Sequence, residues 1–280
     1  MNAKEFFKHY PVRKPDSNKY DNGVCLFVSG SKGMAGAAVF NLCGAFSTGA
    51  SYVHCFLPQE IYPIVAQNQI SSVYHPYDEK NISLFSSFSF KKIKACCFGS
   101  GMDNVSNAVF YLKELLNCFK GPLIIDAYGL KLLKENEDLY SKHNQLILTP
   151  HMGEFSVLCG KTIKEIEKDK IGIAADFSKK HNVILVLKGH ETLIFNPNGE
   201  MYVNDSGNAA LARAGSGDIL SGMITGLCSI YEDHFQAVKD AVWLHGHLCD
   251  EALKKHSMEL FDLLSYPALA DAFFFKRANV

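Results

Sequence analysis

Residues 204–226, NDSGNAALARAGSGDILSGMITG, decide how the rest of the chain is read. At their centre Gly215, Ser216, Gly217 and Asp218 run directly into an apolar series, Ile219, Leu220, Met223, Ile224 and Leu227. That spacing is helical, so the glycines fall where a loop becomes a helix. The first backbone N–H groups of a helix lack intrahelical partners, and the helix dipole adds partial positive charge at the same end. Glycine lets an anion come close to those donors. A carboxylate in that turn is unwelcome beside a phosphate unless it handles a proton. Asp218 therefore reads as a proton-handling group at the reacting end of a bound nucleotide. The four residues taken alone fit a simpler reading better, a tight turn with a carboxylate complementing the dipole. The rest of the chain shifts that balance.

Outward from this stretch, short runs of strand formers end in turns of glycine or polar residues. Residues 24–28 end at SGSKG (29–33), ahead of a small-residue helical pattern from Gly36 to about Gly49. Residues 52–57 form a second strand, and residues 93–98 a third that ends at GSG (99–101) before an amphipathic helix over 104–119. Residues 123–125 end at Asp126 and Ala127, residues 146–148 at TPHMGE (149–154), and residues 183–187 at KGHET (188–192). A helix follows TPHMGE, and another spans about 163–180. Residues 193–195 and 201–203 flank NPNG (196–199), a hairpin signal. Residues 234–255 form a long helix, and the tail to Val280 reads as helical and apolar. This alternation predicts an α/β fold with a mainly parallel central sheet covered by helices on both faces. Such sheets bind ligands at the carboxyl ends of their strands. The polar turns therefore converge on one composite site. With no linker or repeat in view, residues 1–280 read as a single domain, with residues 1–23 as an arm packed on it.

Composition sets the outer bounds. The chain has 280 residues, 48% of them hydrophobic and 20% charged, which suits a globular protein with a substantial core. A formal net charge of −1 supplies no global field towards nucleic acid or an anionic membrane. The nine cysteines are scattered without a C-x-x-C pair, and Cys25, Cys43, Cys55, Cys96 and Cys97 lie in apolar runs. They read as reduced, buried thiols of a cytoplasmic protein. The first 23 residues lack the apolar core of a signal peptide, and no run approaches a membrane span.

Each turn offers some chemistry and an ordinary alternative. Lys188 follows an apolar strand and precedes Gly189, from where an ammonium reaches a phosphate as a point charge, or simply stays solvated. Thr192 adds a hydroxyl. Pro150 fixes the backbone before His151, which can donate to a ligand or serve the structure. Glu154 suits a first helical turn. Asp126 fits a metal or water network, and fits the capping of the next element better. His245 and His247, two apart on a helix, do not share a face, and no zinc ligand set is assembled.

LTPHMGE, VLKGHETLIFNPNGE, NDSGNAALARAGSGDILSGMITGL and AVWLHGHLCDEA follow one another in this order. In that combination the chain resembles the ADP- or ATP-dependent NAD(P)H-hydrate dehydratases of the ribokinase-like superfamily. The resemblance covers nearly the whole chain and is strongest from Leu146 to Asp250; GSKGMAGAA and IIDAYGL fit it too. It implies a metabolite-repair enzyme that restores NADH or NADPH from the hydrates NADHX and NADPHX. ADP would be the co-substrate, AMP and phosphate the products, and Mg²⁺ the accompanying cation. It implies that Asp218 is the general base. Lys188, Gly189, His190, Glu191, Thr192 and Gly217 would hold the nucleotide, and Ala37, Gly101, His151 and Asp218 the hydrate, with Asn208 a weaker polar contact. A homotetramer, and a separate epimerase as partner, are implied as well. The turn FGSGM (98–102) is shorter than the family's usual one, and the tail after Asp250 matches poorly. The alternatives are a ribokinase-like small-molecule kinase of hydroxymethylpyrimidine or hydroxyethylthiazole type, which would share GSGD and the base, and a regulatory nucleotide-binding protein without turnover.

Overall fold

The computed structural model describes residues 1–78 and 83–254. The chain opens with α1 (Ala3–His9), whose start is closed by reciprocal bonds between Asn2 and Glu5. Then come β1 (Val24–Val28), α2 (Ala35–Ser47), β2 (Tyr52–Pro58), α3 (Tyr62–Asn68), β3 (Val73–Tyr77), α4 (Ser83–Ser86) and β4 (Ala95–Phe98). The middle of the chain holds α5 (Ala108–Cys118), β5 (Leu123–Ile125), α6 (Tyr128–Glu135), β6 (Leu146–Leu148), α7 (Met152–Cys159), α8 (Ile163–Lys168) and α9 (Lys170–His181). It finishes with β7 (Val183–Leu187), β8 (Thr192–Phe195), β9 (Met201–Asn204), α10 (Ser216–Cys228) and α11 (His234–Lys254).

The strands form one nine-stranded sheet in the order β3-β2-β1-β4-β5-β6-β7-β8-β9. Neighbours from β3 through β7 pair in parallel, and β7, β8 and β9 pair antiparallel. The chain runs outward from β1 to β3, then crosses back to β4 on the other side of β1. That reversal opens a crevice at the carboxyl ends of β1 and β4.

Alternation along each strand builds two core layers. Cys25 and Phe27 of β1 pack in the layer that holds Leu42 of α2, Ile224 of α10 and Ala241 of α11. Val24, Leu26 and Val28 pack in the opposite layer with Leu112 of α5, Leu133 of α6 and Phe155 of α7. With both faces covered, all of β1 is buried, which is why its sequence is apolar without a break.

Four local expectations are corrected. β3 (VYHPY) was not anticipated, because His75 and Pro76 interrupt its apolar signal; it lies at the sheet edge, where a residue lacking an N–H is tolerated. The helix expected over 163–180 is two helices, because the Asp169 side chain accepts from the Gly172 N–H and starts α9 afresh. The helix expected from 104 starts at Ala108, and the strand expected from 93 starts at Ala95. The arm carries α1, which buries Phe6 against Trp243 with ring centroids 5.6 Å apart. The expected helical tail lies outside the described residues.

One helix crossing sets the site. α2 and α10 meet backbone to backbone through Gly44, Gly222 and Gly226. A Cβ on Gly44 would stand 3.0 Å from the Met223 nitrogen, and one on Gly226 would stand 2.9 Å from the Ala45 carbonyl. Larger residues at these places would push the start of α10 away from the sheet.

Candidate active site

α10 begins at the glycine turn the sequence singles out. Gly215 has φ of +90°, a left-handed conformation that a Cβ resists, and it packs on the Phe40 ring. Among the described residues no side chain caps this helix start. The N–H groups of its first turn are thus available to an anion. α7, α8 and α9 are different, each capped by a side chain.

Beside that turn lies a buried ion pair built from neighbouring strands. Asp126 follows β5, Thr149 follows β6 and Lys188 follows β7. The Lys188 Nζ stands 3.2 Å from Asp126 Oδ1. Thr149 Oγ1 donates to the same oxygen at 2.7 Å, and Ser100 Oγ donates to Oδ2 at 3.0 Å. Burial pushes the Asp126 carboxyl up, but the Lys188 ammonium and the Thr149 hydroxyl outweigh it and hold the carboxyl below its usual range. Burial likewise works against the Lys188 charge, and the carboxylates of Asp126, Glu154 and Asp218 more than offset it. A Cβ on Gly217 would lie 3.4 Å from the Lys188 Nζ, so the ammonium sits against the helix start. The Lys188 N–H donates to the Pro150 carbonyl at 2.9 Å, tying KGHET to TPHMGE.

Asp218 occupies the opposite electrostatic position. Burial, followed by the nearby Asp126 carboxylate, pushes its pKa up to about 7, against the pull of Lys188. A carboxyl balanced near neutrality in a polar cluster has the character of a proton acceptor. Asn41 of α2 fixes the backbone beneath it, its Nδ2 donating to the Asp218 carbonyl at 2.8 Å and to Ser100 Oγ at 3.3 Å. Ala127, next to Asp126, is held at φ of +46°.

A cavity of about 670 Å³ opens beside the start of α10. Of the residues expected at a nucleotide, Lys188, Gly189, His190, Thr192 and Gly217 line it. Glu191 is exposed and does not. Thr192 Oγ1 donates to the Gly189 carbonyl at 3.2 Å and so closes its own turn. Asn208 and His151 also line this cavity. The Asn208 side chain donates to Asp250 at 2.9 Å and accepts from the Ala210 N–H at 3.0 Å. His151 caps α7, its Nδ1 accepting from the N–H groups of Gly153 and Glu154 at 3.0 and 3.2 Å. Ala37 and Gly101 lie elsewhere, against each other: a Cβ on Gly101 would press on the Ala37 side chain. Neither they nor Asp218 line the 670 Å³ cavity.

Asn41, Ser100, Thr149 and His245 belong to this cluster without having been singled out as functional, and so does the side chain of Ser216, whose turn was singled out for its backbone. Thr149 and Ser100 sit in turns already marked as site-forming. Asn41 lies inside a helix where no local pattern distinguishes it, and His245, though inside a quoted motif, was weighed only as a metal ligand. His245 lines the cavity with Nε2 3.4 Å from Ser216 Oγ, and burial, then Lys188, pushes its pKa down to about 4. His247 turns away and stacks on Trp243, with ring centroids 4.7 Å apart. Among the described residues no group of three or more His, Cys, Asp or Glu could hold a metal ion.

A family model described as NAD(P)H-hydrate dehydratase matches residues 25–266. The ADP-dependent (S)-NAD(P)H-hydrate dehydratase of Neisseria meningitidis serogroup B is 33% identical over 250 residues, which are 87% of this chain and 82% of that protein. The bifunctional NAD(P)H-hydrate repair enzyme of Moorella thermoacetica is 31% identical over 270 residues, 91% of this chain and 51% of that enzyme. The chain thus spans about half the length of this bifunctional relative. The crystal structure of the ADP/ATP-dependent NAD(P)H-hydrate dehydratase of Bacillus subtilis, co-crystallised with ATP and Mg²⁺, superposes with a TM-score of 0.82 at 26% identity, covering 97% of each chain. A ribokinase-like superfamily protein from Enterococcus faecalis shares the fold with a TM-score of 0.87 at 20% identity, covering 98% of this chain and 95% of that one. With a family model running across all but the first strand residue of the sheet, and with likeness in sequence and fold along nearly its whole length, the chain belongs to the NAD(P)H-hydrate dehydratase family and has the ribokinase-like fold.

Proposed function

We propose that this chain is an ADP-dependent (S)-NAD(P)H-hydrate dehydratase. The observation that carries the reading is the Asp218 carboxyl, raised to about 7, in the first turn of an uncapped helix whose start holds the Lys188 ammonium. On this reading Asp218 takes the proton of the hydrate's ring hydroxyl as that oxygen attacks the terminal phosphorus of ADP, and AMP leaves. The new C–O–P linkage then breaks towards phosphate, the neighbouring ring carbon gives up a proton, and the ring double bond re-forms. Water is a poor leaving group and phosphate a good one, which is what the nucleotide contributes. The N–H groups of Gly215 to Gly217 hold developing phosphoryl charge. Lys188, Gly189, His190, Glu191, Thr192 and Gly217 hold the nucleotide; Ala37, Gly101, His151 and Asp218 hold the hydrate.

The donor set bears on Mg²⁺. Asp126 is committed to Lys188, Thr149 and Ser100, and the described residues offer no ligand cage. Mg²⁺ dehydrates reluctantly and is commonly held by phosphate oxygens and water. It therefore belongs in this reading as part of the nucleotide substrate. Nine free cysteines, six of them buried, support a reducing, cytoplasmic setting. A homotetramer and a separate epimerase complete the reading on the family resemblance.

The test mixes the purified chain with NADHX, Mg²⁺ and ADP, follows the dihydronicotinamide absorbance, and assays AMP in parallel. Recovery of NADH with matching AMP supports the reading. AMP release with a stable phosphorylated hydrate would move the chain to the kinase class, and nucleotide binding without turnover to the regulatory one.

A further inference from the structure

A second cavity, of about 420 Å³, opens at the carboxyl ends of β1, β2 and β3 and is closed by the start of α5. Two of its walls leave the sheet where the site itself is stitched together. The Gly30 N–H, next to Ser31, donates to the carbonyl of Ser100, next to Gly101, at 2.8 Å. This is the β1–β4 reversal, the place where open α/β sheets take dinucleotides.

Two hydroxyls of the lining are unusual in their pairing. Ser31 is 1% exposed and Tyr77 is 7% exposed; both line the cavity, and neither hydroxyl has a hydrogen-bond partner among the described residues. Buried hydroxyls are rarely left so. Tyr77 and Tyr111 present paired rings with centroids 4.8 Å apart. Among the described residues the charged ones that line the cavity are Glu60 and Asp78, and none of its described lining residues is a lysine, arginine or histidine. Lys32 reaches Glu60 from outside at 3.7 Å, with its side chain 81% exposed. A ligand that fits offers a flat ring, groups for two hydroxyls, and hydroxyl donors for two carboxylates. A phosphate monoester would meet like charge.

We propose that this cavity takes the adenosine end of the hydrated dinucleotide, and that the Glu60 and Asp78 carboxylates select the free ribose 2′-hydroxyl, so that the chain favours NADHX over NADPHX. The inference rests on the dehydratase reading for its substrate and deepens it. An acidic side chain on the ribose 2′-hydroxyl accepts the unphosphorylated cofactor, whereas a 2′-phosphate calls for a cation.

The experiment compares kcat/KM for NADHX and NADPHX at saturating ADP, in the wild type and in the double variant Glu60→Gln, Asp78→Asn. Both residues are at the surface, so the fold tolerates the change. The wild type is expected to favour NADHX by about tenfold or more, because like charges across a contact are strongly unfavourable. The double variant is expected to lose most of that preference. Tyr77→Phe removes contact without charge and is expected to raise KM for both hydrates alike. Equal kcat/KM in the wild type, or a preference that survives in the double variant, overturns the assignment. If neither hydrate is turned over, the dehydratase reading fails, and the cavity is then judged by NADH and NADPH binding followed by their fluorescence. Tighter NADH binding that levels in the double variant supports it, and equal binding by the wild type overturns it.

Discussion

Asp218 and Asp126 are carboxylates in one cluster that the protein drives in opposite directions. Lys188 is closely paired with Asp126, so Asp126 stays ionised and its charge helps raise Asp218. The carboxylate form of Asp218 is the acting one, so kcat is expected to rise as pH climbs through about 7 and level off above it. Asp218→Asn should keep nucleotide affinity, lower kcat by about 10²–10⁴-fold, and abolish that limb of the pH profile. Folding responds with the reverse sign. A carboxyl raised on folding favours the fold at low pH and loses that contribution as pH rises from about 4 through about 7. The Asn variant should therefore melt a few degrees above the wild type at pH 8, with the gap narrowing towards pH 4. Lys188→Ala should be costly, about 3–5 kcal/mol in chemical denaturation, because it strands the buried Asp126 charge; adding Asp126→Asn should recover part of the loss. At this scale the sequence showed the residues that stand in turns. Asp218, Gly217, Lys188 and His151 were legible because strand ends and helix starts mark them. Asn41 and His245 were not, because their roles depend on which helices meet. Glu191 is exposed, and its side chain does not line the cavity that the other residues of its motif line.

The α2–α10 crossing turns three glycines into a positional device. Their missing side chains let α10 lie against Asn41 and Ala45, and Asn41 then grips the Asp218 carbonyl. Gly222→Ala would drive a methyl group into the Asn41 backbone. It is expected to cost about 1–3 kcal/mol in a urea melt and to lower kcat, while leaving the far end of the sheet intact. An unchanged kcat beside a lowered stability would show that the crossing holds the fold and not the base. Legibility at this scale followed burial. β5, β6 and β7 have the bounds that their uninterrupted apolar runs predict, because both faces of each are covered. β3 was missed because an edge strand tolerates a proline and partly exposed residues that a central strand does not. The break between α8 and α9 depends on one aspartate choosing a cap over a helix interior, a choice that composition does not reveal.

For the molecule as a whole, acid is the weak direction. Burial pushes His54, His143 and His245 down to about 4, and these rings must charge when the chain unfolds near or below pH 6.5. Their contribution to stability is complete above the unfolded value and is lost as pH falls from about 6.5 towards 4. Asp218 and Asp240, both raised by burial, work the other way over part of that range, but burial lowers His75, His181 and His234 as well, so two carboxyls face six imidazoles. Calorimetry from pH 8 to pH 4.5 should therefore show Tm falling below about pH 6.5, and a flat or rising profile would contradict the assignment of neutral interior rings. The first turn of α10 has a consequence for how turnover is ordered in time. Gly217 looks into the 670 Å³ cavity while the adjacent Asp218 stays outside its lining. On the proposed reading, the nucleotide takes the Gly217 side of that turn and the hydrate the Asp218 side, and the two share only the wall at His151. Neither then has to arrive first, and the spent nucleotide can depart while its former partner is still held.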